Sequence, residues 1–233
     1  MRVEILVEDA SGKIMLEHLV PKIVGIGGGH KIRVINIQDL KHRVMSRLPR
    51  HLARTLSWDA ILFQTLSIQF AAYSKSYKSG NGLIIMVVVD LDYRNYDEFL
   101  SRLDGLFRSC EISLNGGIFL AVEEGEAWLL GDKTAILQAY PFAKKYALDS
   151  YVQDSICGTW EWLADAIFHG GSERLTEIGY PQIGREKCQW AEKIGQYMNV
   201  EKNNSPSFTI FRDKLKQLTG NPNQPAQPFT ATE

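Results

Sequence analysis

The chain has 233 residues, 45% hydrophobic, 23% charged and 10% aromatic, which suits an ordinary globular protein able to bury one sizeable core. Lys and Arg total 26 against 27 Asp and Glu, a formal charge of -1, so any attraction to a polyanion must come from local clustering. Cys110, Cys157 and Cys188 are odd in number and lack CxxC or Cys/His spacing, which argues against a disulfide framework or a zinc site and suits a reducing cytosol. The N-terminus enters an apolar strand pattern directly, without a leader-like region, and no apolar run nears the roughly 20 residues of a membrane span. A cytoplasmic protein with no membrane partner is the expectation.

Residues 2–7 read as a short strand and Glu8 to Gly12 as the loop leaving it. A helix is predicted next, with Ile14, Leu16, Leu19, Val20 and Ile23 as its apolar stripe and Pro21 kinking or shortening it. After the glycine-rich break at 25–29, residues 32–37 alternate like a second strand. From about 41 to 77 the pattern is helical, and Lys41, Arg43, Arg47, Arg50 and Arg54 occur with no acidic residue between Asp39 and Asp59. The turn at Ser79-Gly80-Asn81-Gly82 opens Leu83 to Val89, an unbroken apolar run typical of a parallel strand covered on both faces. An amphipathic helix is predicted over 97–110, a buried strand over 118–122 and a helix beginning within Glu123 to Leu130. Helices then dominate, among them 160–168 and 185–198, with a last one from Ser205 to about 218. Strands alternating with helices predict an α/β fold with a mostly parallel sheet. The organisation expected is one domain over 1–218, carrying a helical basic insertion at 41–78, and a disordered tail over 219–233 rich in Pro and Asn.

Three of the strand-like runs end in carboxylates: Val7 into Glu8, Val89 into Asp90 and Asp92, and Val122 into Glu123 and Glu124. In parallel sheets ligands sit beyond the carboxyl ends of the strands, and neighbouring ends would lie roughly 5–10 Å apart. Carboxylates that close repel unless a cation balances them. A hard divalent ion such as Mg²⁺ or Mn²⁺ does so with oxygen ligands. Asp90 and Asp92 point to the same side if the backbone stays extended. The plainer reading of any one such residue is a helix cap or a solvated loop.

Val7-Glu8-Asp9-Ala10-Ser11 together with Asp90-Leu91-Asp92 resembles the toprim domain of topoisomerases, primases and overcoming-lysogenization-defect nucleases. Glu124-Gly125-Glu126-Ala127-Trp128-Leu129-Leu130-Gly131-Asp132 and Ser205-Pro206-Ser207-Phe208 narrow the likeness to a toprim-like family of unknown function, with matches from residue 3 to 208. Asp9 stands where the toprim loop usually has Gly, and Lys13 where the family often has an acidic residue. The resemblance implies a toprim-like sheet flanked by helices, with a helical C-terminal part. It implies Mg²⁺- or Mn²⁺-assisted attack at a nucleic-acid phosphodiester. Asp90 and Asp92 would hold the metal, and Glu8 would share it or act as general acid/base. Glu124 and Glu126 would complete a second position. Two positions apart on a helix is about 200° of rotation, so one of the pair is expected to face the site, and Glu124 is favoured. Asp132 is a more distant candidate, and Lys187 would place a cation on the scissile phosphate. The resemblance further implies a separate ATPase partner and a role as effector in a prokaryotic antiviral defence system.

The basic residues from Lys41 to Arg54 are the candidate nucleic-acid grip, against the plainer reading of a solvated helix face. Trp128, Trp160, Trp162 and Trp190 suit base stacking or, more simply, the core. The glycines at 25–29 lack the Gly-Lys-Ser/Thr ending of a phosphate loop, so this chain is not itself an ATPase. The expectation is a metal-dependent nuclease. The alternative is a non-catalytic partner-binding module with a regulatory metal site. A phosphatase using Asp-x-Asp ranks last, because that chemistry wants the motif on the first strand. DNA or RNA as substrate, and the oligomeric state, are left open by the sequence.

Overall fold

A computed structural model of the chain describes residues 1–25, 29–46, 55–77, 82–109, 115–155 and 158–220, the side chains of residues 42 and 43 excepted. Its sheet holds four strands, β1 (Arg2–Val7), β2 (Lys31–Asn36), β3 (Leu83–Asp90) and β4 (Asn115–Ala121). All pairings are parallel, in the order β2-β1-β3-β4. Helix α1 (Ala10–Val24) joins β1 to β2. The crossover from β2 to β3 contains α2 (Ile37–Met45) and α3 (Trp58–Ser76), and α4 (Tyr96–Arg108) joins β3 to β4. The C-terminal part is helical: α5 (Glu126–Leu130), α6 (Lys133–Ala139), α7 (Lys145–Ser150), α8 (Thr159–Ile167), α9 (Gly171–Ile178), α10 (Tyr180–Tyr197) and α11 (Pro206–Thr219). The protein is therefore α/β, a parallel sheet flanked by helices, as the sequence pattern predicts. Among the described residues no helix is long and apolar enough to cross a membrane.

Strand period two divides the core. Val3, Ile5 and Val7 of β1, Ile84, Met86 and Val88 of β3, and Phe119 and Ala121 of β4 face α1, α5, α10 and α11. Leu6, then Leu83, Ile85, Val87 and Val89, then Ile118 and Leu120 face α3 and α4. Burial on both faces is why β3 reads as a continuous apolar run. Helix α3 belongs to this second layer, with Leu62, Leu66 and Phe70 buried there. Pro21 lies inside α1 without shortening it, and the helix runs on to Val24. Its last turn is tied to the end of α10 by Lys22, whose Nζ donates to the Gly195, Gln196 and Met198 carbonyls at 2.8, 2.7 and 3.0 Å.

The two most specific sequence segments meet in the first layer. The Trp128 indole N–H donates to Ser207 Oγ at 2.8 Å, and the ring lies against Phe208 and Phe211 at centroid distances of 5.4 and 5.2 Å. Asn203 Nδ2 donates to the Trp128 carbonyl at 2.8 Å, and a side chain at Gly131 would collide with that Asn203 amide. Ser205 caps α11, its hydroxyl accepting from Phe208 N and donating to Asp154. These segments are one packing lock.

The chain passes from β1 out to β2 and then returns to β3 on the other side of β1. Its direction reverses between β1 and β3, where an open α/β sheet offers a crevice beyond its strand ends.

Candidate active site

Glu8 follows β1 and Asp90 ends β3, so both stand at that reversal. The Asp90 N–H donates to Glu8 Oε2 at 3.0 Å, and the Trp58 indole N–H, from the start of α3, donates to Glu8 Oε1 at 2.5 Å. Glu8 is 7% exposed. Burial pushes its carboxyl up to about 7, against the lowering effect of those two donors. Asp90 is held well above the ordinary carboxylate range, first by burial and then by Glu8 and Asp9 beside it. Glu8 and Asp90, from the opening strand and the mid-chain strand, therefore lie next to each other beyond the strand ends.

Asp92 does not continue the line of Asp90. The strand ends at Asp90, and Asp92 has φ +48, so the extended backbone needed to aim both carboxylates to one side is absent. Its side chain pairs with the Arg94 guanidinium, which also meets Asp59 of α3 at 2.8 Å. Glu123, the third strand-end carboxylate, likewise has partners of its own within the fold. At φ +67 its carboxylate accepts from the N–H groups of Gly158 and Thr159 at the start of α8. Its carbonyl accepts from Asp92 N at 2.8 Å.

Glu124 and Glu126 both meet Lys187, whose Nζ lies 3.5 Å from Glu124 Oε2 and 3.1 Å from Glu126 Oε2. The expectation that one of the two would turn away fails because α5 begins only at Glu126. Glu124 sits in the preceding turn, so helical rotation does not separate them. Burial pushes Glu124 up to about 8, with Glu126 adding to it and Lys187 opposing. Burial also raises Glu126, again against Lys187. For Lys187 burial lowers the ammonium, but Glu126, Glu124, Asp9 and Asp90 outweigh it and hold the group well above its ordinary value. Lys187 reaches this place because α10 packs along α1 and α5.

These groups make an acidic set, buried at Glu8 and Glu126 and partly buried at Asp90 and Glu124, beside one ammonium. Among the described groups, Glu124 Oε2 and Glu126 Oε2 are met only by the Lys187 ammonium, so a divalent ion at these oxygens would share them with Lys187 or displace it. The donors are all oxygen, which fits a hard divalent ion held by one or two carboxylates and water. Among the described residues, no three His, Cys, Asp or Glu side chains are grouped so that they would together ligate one ion as they stand.

Other sequence-predicted residues fall elsewhere. Asp132 is a cap, accepting from Ala135 N at 3.0 Å and Asn199 N at 2.7 Å, so its carboxylate is already committed to the fold. Trp128 and Trp190 are core residues, 0% and 1% exposed, which removes them as base-stacking surfaces. Trp160 and Trp162 are partly buried against the same core. Of the basic series, Lys41 lies on α2 with its ammonium 5.0 Å from the Trp58 ring centroid. The Arg43 side chain, and Arg47, Arg50 and Arg54 entirely, fall outside the described residues, as do Cys110, Cys157 and the tail from 221.

Three contributors escape sequence reasoning, and a fourth, Asp9, stands out in the sequence only as a departure from the toprim loop. Asp9 caps α1, accepting from Gly12 N at 2.7 Å, and adds its charge to Asp90 and Lys187. Glu161 of α8 is raised by burial and by Glu123, opposed in part by Lys187. Trp58 and Arg94, which hold Glu8 and Asp92, had no sequence signal beyond their residue types. Compared with protein families, with curated proteins and with solved structures, the chain matches none.

Proposed function

We propose that this protein is a divalent-cation-dependent nuclease of the toprim type. The reading is carried by one observation: Glu8, buried, and Asp90, partly buried, stand at the ends of two adjacent parallel strands where the sheet reverses direction, with Glu8 Oε2 accepting from the Asp90 main-chain N–H at 3.0 Å. Asp90 and Glu124 are the residues that would hold Mg²⁺ or Mn²⁺. When bound, the ion would supply charge neutralisation on a phosphodiester and a lower pKa for water. Glu8, near 7, can take or give a proton at neutral pH and is the general acid/base. Lys187 stays charged and holds Glu124 and Glu126 together beside Asp90. Lys41, the first residue of the basic series, lies on the Trp58 ring, one side chain from Glu8. This supports nucleic acid as the substrate class. The resemblance adds a separate ATPase partner in prokaryotic defence to the proposal.

The decisive experiment incubates the purified protein with single-stranded and duplex DNA and RNA, in Mn²⁺, Mg²⁺ or EDTA. Cleavage should require the metal and fall by about 10²–10⁴-fold in Glu8→Gln, with Asp90→Asn equally impaired. Equal cleavage by wild type and both variants would sink the reading.

A second reading has its own observation. Lys187 already meets both glutamates, so the acidic set is partly neutralised from within the chain. A partner-binding module with a regulatory metal site would then bind Mn²⁺ in calorimetry and show no turnover on any nucleic acid.

A further inference from the structure

We propose that Trp58 is a positioning residue for Glu8, and that a nucleic-acid phosphate drawn to Lys41 acts on Glu8 through the indole. The proposal deepens the nuclease reading and rests on it for its rate measurement only.

Each oxygen of Glu8 has its own donor, and the two donors come from different elements. Oε2 is held by the main chain of β3 at 3.0 Å and Oε1 by the Trp58 indole at 2.5 Å. Two bonds fix the plane of the carboxylate, whereas one leaves it free to turn about the other. Trp58 is itself well placed to hold. It is the first residue of α3, after Ser57, whose hydroxyl accepts from Ala60 N at 3.3 Å. The buried side chains of α3 anchor the helix on the sheet. The next residue, Asp59, accepts from Arg94 at 2.8 Å, and Arg94 also meets Asp92. One turn of α3 therefore grips the loops leaving both β1 and β3.

Lys41 connects this turn to α2. Its ammonium lies 5.0 Å from the centroid of the Trp58 ring, while the edge of that ring donates to Glu8. A cation on an indole face is a weak contact when partly solvated, and an ammonium–phosphate pair is charge-assisted. A nucleic-acid backbone thus competes for Lys41, and when it wins the indole loses the contact on its face while keeping its bond to Glu8. The carboxylate then responds to occupation of the basic surface. A packing role for Trp58 would need the ring alone, and Phe supplies a ring without the N–H.

The test uses the full chain, isotope-labelled at nitrogen, with the Trp58 indole resonance identified by its loss in Trp58→Phe. In EDTA, which prevents cleavage, a short single-stranded DNA oligonucleotide should move that resonance in wild type and leave it in place in Lys41→Gln. With Mn²⁺, Trp58→Phe should cleave about ten-fold more slowly at saturation, the loss expected for a hydrogen bond to a charged group, with apparent affinity unchanged. An indole resonance that ignores the oligonucleotide, or Trp58→Phe cleaving at the wild-type rate, would overturn the proposal while leaving the nuclease reading intact. If wild type cleaves nothing, the nuclease reading falls and the resonance alone decides the inference.

Discussion

The Lys187 ammonium lies 3.1 Å from a buried oxygen of Glu126. Lys187 holds its charge in this place because Glu126 and Glu124 outweigh the effect of burial on it. Breaking such a pair from one side leaves an uncompensated charge and costs about 3–5 kcal/mol. Lys187→Met should therefore lower Tm by roughly 10 °C at pH 7.5, read by circular dichroism. The double variant Lys187→Met/Glu126→Gln should recover part of that loss. A melt unchanged in Lys187→Met would show that the pair does not stabilise the fold.

The raised carboxyls give stability a definite pH dependence. Glu8 sits near 7 and Glu124 near 8 in the folded protein, against 4.5 without the fold. The native state then binds more protons than the unfolded one between those values, so stability falls as pH rises through them. Between pH 5.5 and 8.5 in EDTA, Glu8 alone should remove roughly 2 kcal/mol, or about 4–8 °C in Tm. Mn²⁺ should restore more of the melting temperature at pH 8.5 than at pH 5.5. A Tm that rises over this interval in EDTA would contradict this acidic set.

Asp90 should separate activity from stability. Its ionised form is opposed by burial and by Glu8 and Asp9, so Asp90→Asn removes repulsion in the absence of metal. The expected outcome at pH 8 in EDTA is a Tm equal to or higher than wild type, together with lost cleavage in Mn²⁺. A strongly destabilised Asp90→Asn would instead make Asp90 a structural residue.

The lock between Trp128 and Ser207 should act on the fold alone. Ser207→Ala leaves a buried indole N–H without its acceptor, a cost of about 1–3 kcal/mol. Gly131→Ala forces its methyl against Asn203 and should lower stability by a similar amount, about 1–3 kcal/mol. Urea denaturation measures both, and cleavage per folded molecule should stay at the wild-type level. Loss of cleavage without loss of stability would move this segment into the site.

Much of the architecture is a local matter and could be read directly. An apolar run such as 83–89 can only be satisfied between two covered layers, and the 3.6-residue periodicity over 97–108 can only bury Phe99 and Leu103 together. Parallel strands then oblige their carboxyl ends to share one edge of the sheet, which is why Glu8 and Asp90 were visible as partners across more than eighty positions. Lys187 was legible as a candidate only through the resemblance.

What each side chain does at that edge was decided by contacts that no local pattern encodes. Asp92 turns away because Arg94 is met by Asp59, 35 positions earlier in the chain. Glu8 is held by Trp58, 50 positions later, because α3 packs on the second face of the sheet. Glu124 and Glu126 both reach Lys187 because α5 starts one turn later than the acidic run suggests, and because α10 lies along α1. Hydrophobic alternation is written in neighbouring residues, so the sequence by itself determined the layers and the edge where the carboxylates gather. Charge partners are chosen by how the helices pack on those layers, so only the tertiary structure decided which partner each carboxylate takes.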